Sequence, residues 1–233
     1  MKRMPVTLLL LSSLALALPA RAASAADEVS PETLVRERTA KILELIKANR
    51  ESYNRDVRQL FAMVDKEVLP YFDFSAMARS VLGRYWREAN EDQRARFTAA
   101  FREMLVRTYA TALLKYTDEE IVYLPYTGQP GDRTAVVRTE VRRGGGAPPV
   151  PIHYGFYKSP NGWKVYDITV EGVSLVTSYR ASYAEKIQKE GLEALIASIE
   201  RSNREAAAKS ATGRSGGGGG VLELPHRGRA LAS

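Results

Sequence analysis

The chain has 233 residues, room for one domain or two small ones, and a formal charge of +7. It contains no cysteine, which excludes disulfides and thiolate metal sites and leaves the fold to stand on its core. Residues 1–25 and residues 204–233 each hold +3, so only +1 remains on the body, and a near-neutral body without a basic stripe argues against nucleic acid.

The first element reads as a secretory signal. Lys2 and Arg3 form a positive start, and Val6 to Leu18 form an apolar run broken only by Thr7, Ser12 and Ser13. Ala20-Arg21-Ala22 and Ala23-Ser24-Ala25 both fit a cleavage site. A membrane-spanning helix needs about 20 apolar residues, more than this run supplies. Residues 1–25 are therefore expected to be a signal peptide. Without cysteine there is no lipobox, so a lipid-anchored product is not expected.

Helical periodicity fills the next third. Ser30-Pro31 supplies an N-cap and a proline at the first helical position. Val35, Thr39, Ile42, Ile46 and Asn49 then share a face, with Leu45 beside them. Val57, Leu60, Phe61, Val64 and Val68 repeat the pattern before Pro70. A third helix is expected from the N-cap Asp73 to Leu82, with Gly83 ending it. Asn90 to Gln93 resembles a capping box and opens the longest helix, expected over residues 91–115. Phe97, Phe101, Met104, Leu105, Thr108 and Ala112 line its buried face, widened by Tyr109 and Leu113.

The period then switches to two. Residues 121–126, 134–142, 150–158 and 162–170 read as four strands. Their short connections favour antiparallel neighbours. In the third strand Val150, Ile152, Tyr154 and Phe156 form the more apolar face and are expected inward. Val136 and Val165 are compatible neighbours. Val122 and Leu124 are chosen for the first strand, though Ile121 and Tyr123 fit nearly as well. Helical spacing returns at Val173, Val176 and Tyr179, and again at Leu192, Leu195, Ile196 and Ile199. From Arg204 aliphatic content collapses, and residues 204–233 are expected to be a disordered, Gly-rich basic tail. The body, residues 26–203, thus reads as an α+β domain, with helices, then about four strands with antiparallel neighbours, then helices.

A search for catalytic chemistry finds little. His153 lies mid-strand without a local partner, and His226 lies in the tail. Gly172-Val173-Ser174-Leu175-Val176 begins like a nucleophile elbow but lacks the second glycine. Asp118-Glu119-Glu120 is the pattern of solvated acids at a turn, and no His, Asp and Glu set has metal-ligand spacing. No catalytic residue, metal or cofactor is expected. Large apolar side chains abound, and by pattern alone they describe a core.

The run from Tyr71 to Trp86, containing Phe72-Asp73-Phe74-Ser75 and Leu82-Gly83-Arg84-Tyr85-Trp86, resembles the signature of the MlaC family, also called the toluene-tolerance Ttg2 family. Gln93-Arg94, Phe97, Phe101 and Arg107-Thr108-Tyr109 continue the likeness. A second block runs from Gly162-Trp163-Lys164-Val165-Tyr166-Asp167-Ile168 into Val170-Glu171-Gly172-Val173-Ser174-Leu175-Val176 and Tyr179-Arg180. The resemblance spans roughly residues 30–200 and leaves out the tail.

It implies a periplasmic phospholipid-binding shuttle between an outer-membrane lipoprotein–porin complex and an inner-membrane ABC transporter bearing an MCE protein. That role maintains outer-membrane lipid asymmetry and needs no catalysis. It also implies a twisted antiparallel sheet packed against a helical layer, with a cavity for acyl chains between the layers, expected here between the helix of Phe97 to Leu113 and one sheet face. The lipid-binding set is then Phe72, Leu82, Trp86, Phe97, Phe101, Leu105, Tyr109, Val122, Leu124, Val136, Ile152, Tyr154, Phe156, Val165, Val173 and Val176. Trp86 suits either the cavity mouth or a helix anchor, and Arg79, Arg84 and Arg87 either a phosphate or partner site or a solvated face. Two other readings stand beside this one: a carrier of another lipid, such as a hopanoid, and a periplasmic scaffold with a filled core.

Overall fold

The structure is a computed structural model that describes residues 29–211 apart from 118 and 130. The expected signal peptide, Asp118 and residues 212–233 lie outside the described residues. Among the described residues, seven α-helices and a five-stranded antiparallel sheet follow each other as helices, strands, helices.

Local chemistry explains most boundaries. Helix α1 (Pro31–Arg55) starts where the Ser30 hydroxyl accepts from the Thr33 N–H at 3.1 Å. Asp56 closes α1 through its own N–H and caps α2 (Val57–Glu67) through its carboxylate. A 3₁₀ turn, Leu69–Tyr71, leads to α3 (Phe74–Leu82), capped by Asp73 and ended by Gly83 at φ +56°. After the short α4 (Tyr85–Glu88), the expected capping box of Asn90 and Gln93 opens α5 (Glu91–Tyr109).

Helix α5 is shorter than expected. Residues Ala110–Lys115 tighten into a 3₁₀ helix, and Arg50 of α1 donates to the carbonyls of Leu114 and Tyr116 at its end. Those contacts come from a distant helix and have no sequence signature.

The sheet order is β1 (Glu120–Tyr123), β2 (Thr134–Arg142), β3 (Val150–Ser159), β4 (Gly162–Val170) and β5 (Val173–Ser174). The fifth strand was not expected. Glu171 and Gly172 both adopt positive φ, 50° and 80°, the geometry of a two-residue hairpin, which folds Val173 and Ser174 back along β4. Helix α6 (Leu175–Glu190) follows at once, capped by Ser174, and α7 (Leu192–Ala211) ends the described chain. Residues 204–211 are therefore helical rather than disordered. The alanines at 206 to 208 favour continuing the helix once its first turns are docked.

Register assigns the faces. Ala135 sits opposite Phe156, Val137 opposite Tyr154 and Thr139 opposite Ile152, so these six share one face. Val165 and Ile168 join it from β4. Val136 lies on the other face, 51% exposed, opposite Gly155 and beside Arg138. Val122 pairs with Glu140 and shares that outer face, as Leu124 does by alternation. Ile121 and Tyr123 take the inner positions instead. Val173 is 41% exposed on β5. Register corrects Val122, Leu124 and Val136, because a side chain placed one residue off points the other way, whereas Val173 lies in the unexpected strand β5 instead of on a helix face.

The core is divided into three apolar clusters. One is wholly helical and joins α3, α5, α6 and α7 through Leu82, Phe97, Phe101, Leu105, Val176 and Ile196. A second joins α1, α2 and the 3₁₀ segment through Ile46, Leu60 and Ala110. The third lies on the sheet and is covered by Val35 at the start of α1. Helix α5 thus packs on α3 and α7. The sheet is instead approached by α1, α3 and α6.

Candidate functional site

The place where apolar layers meet without merging is the seam between sheet and helices. Helix α1 lays Leu34 and Val35 on the sheet, then Ile42, Leu45 and Ile46 on α2 and the 3₁₀ segment. One turn, with Arg38 and Thr39, separates the two contacts. Phe72 bridges the layers and contacts both the helical and the sheet cluster. Its backbone lies against β4 through an isolated bridge to Val165, and the Asp73 N–H donates to the Val165 carbonyl at 2.9 Å. Asp73 also caps α3 and accepts from the Tyr157 hydroxyl, so the helical layer is stitched to the sheet at this residue.

The sheet side of the seam is amphipathic. Tyr123, Tyr126, Tyr154 and Trp163 are partly buried around Val137 and Phe156. Burial pushes the Tyr154 phenol up to about 12. The Thr139 hydroxyl donates to the Ile152 carbonyl at 2.9 Å, which lets a polar side chain occupy this face. Arg36 stacks 4.1 Å from the Tyr123 ring. Such rings suit a boundary where one end of a ligand is oily and the other wet.

A second group of phenols lies inside the helical layer. Tyr179 meets Phe101 edge-on at 5.3 Å, and Tyr183 donates to the Met104 sulfur at 3.1 Å. Burial raises both phenols well above the usual tyrosine range. The Tyr109 and Tyr179 hydroxyls stand 3.5 Å apart.

The sequence-derived residues therefore divide. Phe72, Tyr154, Phe156 and Val165 come together at the seam, and Ile152 shares their face. Leu82, Phe97, Phe101, Leu105 and Val176 belong to the helical cluster, with Trp86 and Tyr109 packed on its edge. Trp86 is an anchor on the outside of that cluster, with Arg79 and Arg94 at 5.7 and 5.6 Å from its ring. Val122, Leu124, Val136 and Val173 join neither group. Ala135 and Val137, absent from the sequence-derived set, also lie at the seam, and a signal for them is present: Arg138, Glu140 and Arg142 alternate with Val136 and mark its face as the wet one.

Two surface concavities lie elsewhere. One of about 410 Å³ is lined by Ser75, Trp86, Arg94 and Thr98 on the outer side of α5. Another of about 480 Å³ lies between α6 and α7 and is lined by Lys186, Glu190, Ser198 and Arg201. Neither touches the sheet, and the cavity expected between α5 and the sheet is not where α5 packs.

Groups with catalytic potential are occupied structurally. Ser174 caps α6 by accepting from the Thr177 N–H and donates to Asp167 at 2.5 Å. Asp167 in turn accepts from the Val176 N–H, favourable for an acid at a helix N-terminus. His153 lies on the outer sheet face between Arg138 and Thr169. Among the described residues no cluster of His, Asp and Glu has the geometry of a metal site, and no helix is long and apolar enough to cross a membrane.

The site thus belongs to an α+β scaffold whose sheet and helices meet at an amphipathic seam. Comparison with known proteins narrows the class. The family model for the MlaC protein matches residues 36–201. The chain belongs to the MlaC family. It is 27% identical, over 77% of its length and 85% of the relative's, to the intermembrane phospholipid transport system binding protein MlaC of Haemophilus influenzae. It is also 27% identical to toluene tolerance protein ttg2D of Pseudomonas putida, over 70% of this chain and 75% of that one. A phospholipid-binding protein from Ralstonia solanacearum, solved in complex with a phospholipid, superimposes with a TM-score of 0.71 at 30% identity. The match covers 77% of this chain and 99% of that one.

Proposed function

We propose that this chain is an exported periplasmic phospholipid carrier that shuttles lipid between outer- and inner-membrane complexes and performs no chemistry. The observation that supports it most is the relative of the same fold, 30% identical, that holds a phospholipid. Residues 26–203 are the carrier body in this reading, and residues 1–25 its export signal. The partners are an outer-membrane lipoprotein–porin complex and an inner-membrane MCE transporter, and the consequence is maintained outer-membrane lipid asymmetry.

The physics demands little more than shelter. Each methylene kept from water is worth about 0.8 kcal/mol, so a sixteen-carbon chain represents roughly 12 kcal/mol. A carrier that matches the membrane's shelter makes exchange nearly reversible without catalysis. The divided core offers the means. A single interlocked core resists parting, whereas two apolar layers joined at Phe72 and Asp73 separate along a seam and take hydrocarbon between them. The tails then lie against Val137, Tyr154 and Phe156, with the helical layer opposite.

Gentle purification followed by lipid extraction and mass spectrometry tests the reading. Recovery of diacyl phospholipid at about one equivalent or more supports it. Recovery of polycyclic lipid alone replaces the cargo. Protein that carries no lipid, and takes none from vesicles, ends the proposal.

A further inference from the structure

Arg38 is out of place on its helix. Its neighbours one turn away on α1 are Leu34 and Ile42, which pack into the sheet and helical clusters respectively. The side chain is partly buried, and its Nε is the one buried side-chain nitrogen or oxygen among the described residues without a hydrogen-bond partner. Its guanidinium lies 5.2 Å from the Tyr71 ring, beside the residue that joins the layers, and among the described residues it makes no ion pair. By contrast, Arg96 is answered by Glu193 and Glu200, Arg107 by Glu103 and Arg50 by two carbonyls.

A buried donor left unpaired costs free energy, and a charged one costs more. A fold selected only for stability places leucine or methionine there. Arginine presents a planar fork of donors that matches the oxygens of a phosphate. We infer that Arg38 is the phosphate-recognising residue of the carrier, binding the phosphodiester of a lipid whose tails enter the seam between α1, the Leu69–Tyr71 turn and the sheet. This rests on the carrier reading and adds to it a subsite and a selectivity: a phospholipid is held more tightly than a neutral lipid with the same tails. Tyr71 stacks on the guanidinium and keeps its fork presented.

The test uses delipidated full-length protein and vesicles carrying fluorescent phosphatidylglycerol or fluorescent diacylglycerol with identical acyl chains. Arg38→Met is expected to lower phosphatidylglycerol uptake about tenfold or more and leave diacylglycerol uptake unchanged. The melting temperature of delipidated Arg38→Met should equal or exceed that of wild type, because an orphaned donor has been removed. Arg38→Lys keeps the charge and stem and loses the fork. It is expected to show a smaller loss confined to phosphatidylglycerol, and it serves if the methionine variant fails to fold. Equal loss of both lipids, or loss of neither, overturns the inference while leaving a carrier in place. Inorganic phosphate alone that shifts the wild-type melting temperature as much as the phospholipid, and not that of the variant, makes Arg38 a free-phosphate site and overturns the head-group role. Wild-type protein that takes up neither lipid sinks the carrier reading itself.

Discussion

Val136 and Val137 are chemically identical and one position apart, yet they predict opposite outcomes. Val137 is 2% exposed and packs with Phe156 under α1, whereas Val136 is half-exposed on the outer face. Val137→Trp should abolish lipid uptake and lower stability by about 1–3 kcal/mol, the usual cost of overpacking. Val136→Trp should change neither. Uptake by vesicle transfer and chemical denaturation of both variants measure the contrast, and a Val137→Trp protein that loads normally removes the seam from the lipid path. The buried phenols supply a second residue-level expectation. Tyr154, Tyr179 and Tyr183 are desolvated, which raises their folded-state pKa above the unfolded value near 10. The stability linked to their neutral form is complete below pH of about 10 and is lost as pH rises through about 12 and beyond. Alkaline denaturation should begin in that window, and Tyr154→Phe should begin to unfold at higher pH. An unchanged alkaline limb in that variant argues that Tyr154 does not contribute.

Among the elements, α7 and α5 are held together by two different devices. Asn203 is buried and donates from Nδ2 to the Ala100 carbonyl at 2.9 Å. Asn203→Leu removes that bond while the Ala100 carbonyl keeps its partner within α5, with an expected cost of about 1 kcal/mol by urea denaturation. Arg96 bridges to Glu193 at 2.7 Å and Glu200 at 2.9 Å, and its guanidinium holds both carboxyls below the usual glutamate range. Lowered carboxylate pKa values contribute stability that is present above the unfolded value and lost as pH falls through the folded one. The stability difference between wild type and Arg96→Ala should therefore shrink as pH drops below about 4. A difference that stays constant to pH 2 means the carboxylates are not the source. The Glu171-Gly172 hairpin is a third element-level device. Gly172 stands at φ +80°, and Gly172→Val should destabilise the β4–β5 turn and the N-terminus of α6 that follows it.

For the molecule as a whole, the proposed carrier role and the division of the core make one joint prediction. A carrier that opens along a seam gains stability when loaded, because bound lipid replaces contacts that the lipid-free layers make only in part. Saturation at a hundred times Kd is worth about 2.7 kcal/mol. The melting temperature of delipidated protein should therefore rise with added phospholipid and reach that of protein purified with its lipid. A melting temperature that ignores lipid over this range contradicts binding to the native state. The helical cluster of α3, α5, α6 and α7 is expected to stay intact while α1 and the sheet move against each other.

Much of this architecture was legible in the order of residues. Caps and punctuation were local: Ser30 with Pro31, Asp73, and the Asn90 and Gln93 box set helix starts through hydrogen bonds within three residues. Period two gave the β2 to β4 strands and their antiparallel pairing, and the family likeness implied a lipid cargo. What chain order could not settle was partnership at a distance. Periodicity states that Phe97 and Phe101 point inward, but only tertiary packing turned them onto α6 and α7 rather than the sheet. Register, a contact between strands, decided that Val137 rather than Val136 faces α1. The unpaired nitrogen of Arg38 likewise has no local signature, because burial and want of a partner are properties of what surrounds a side chain after folding.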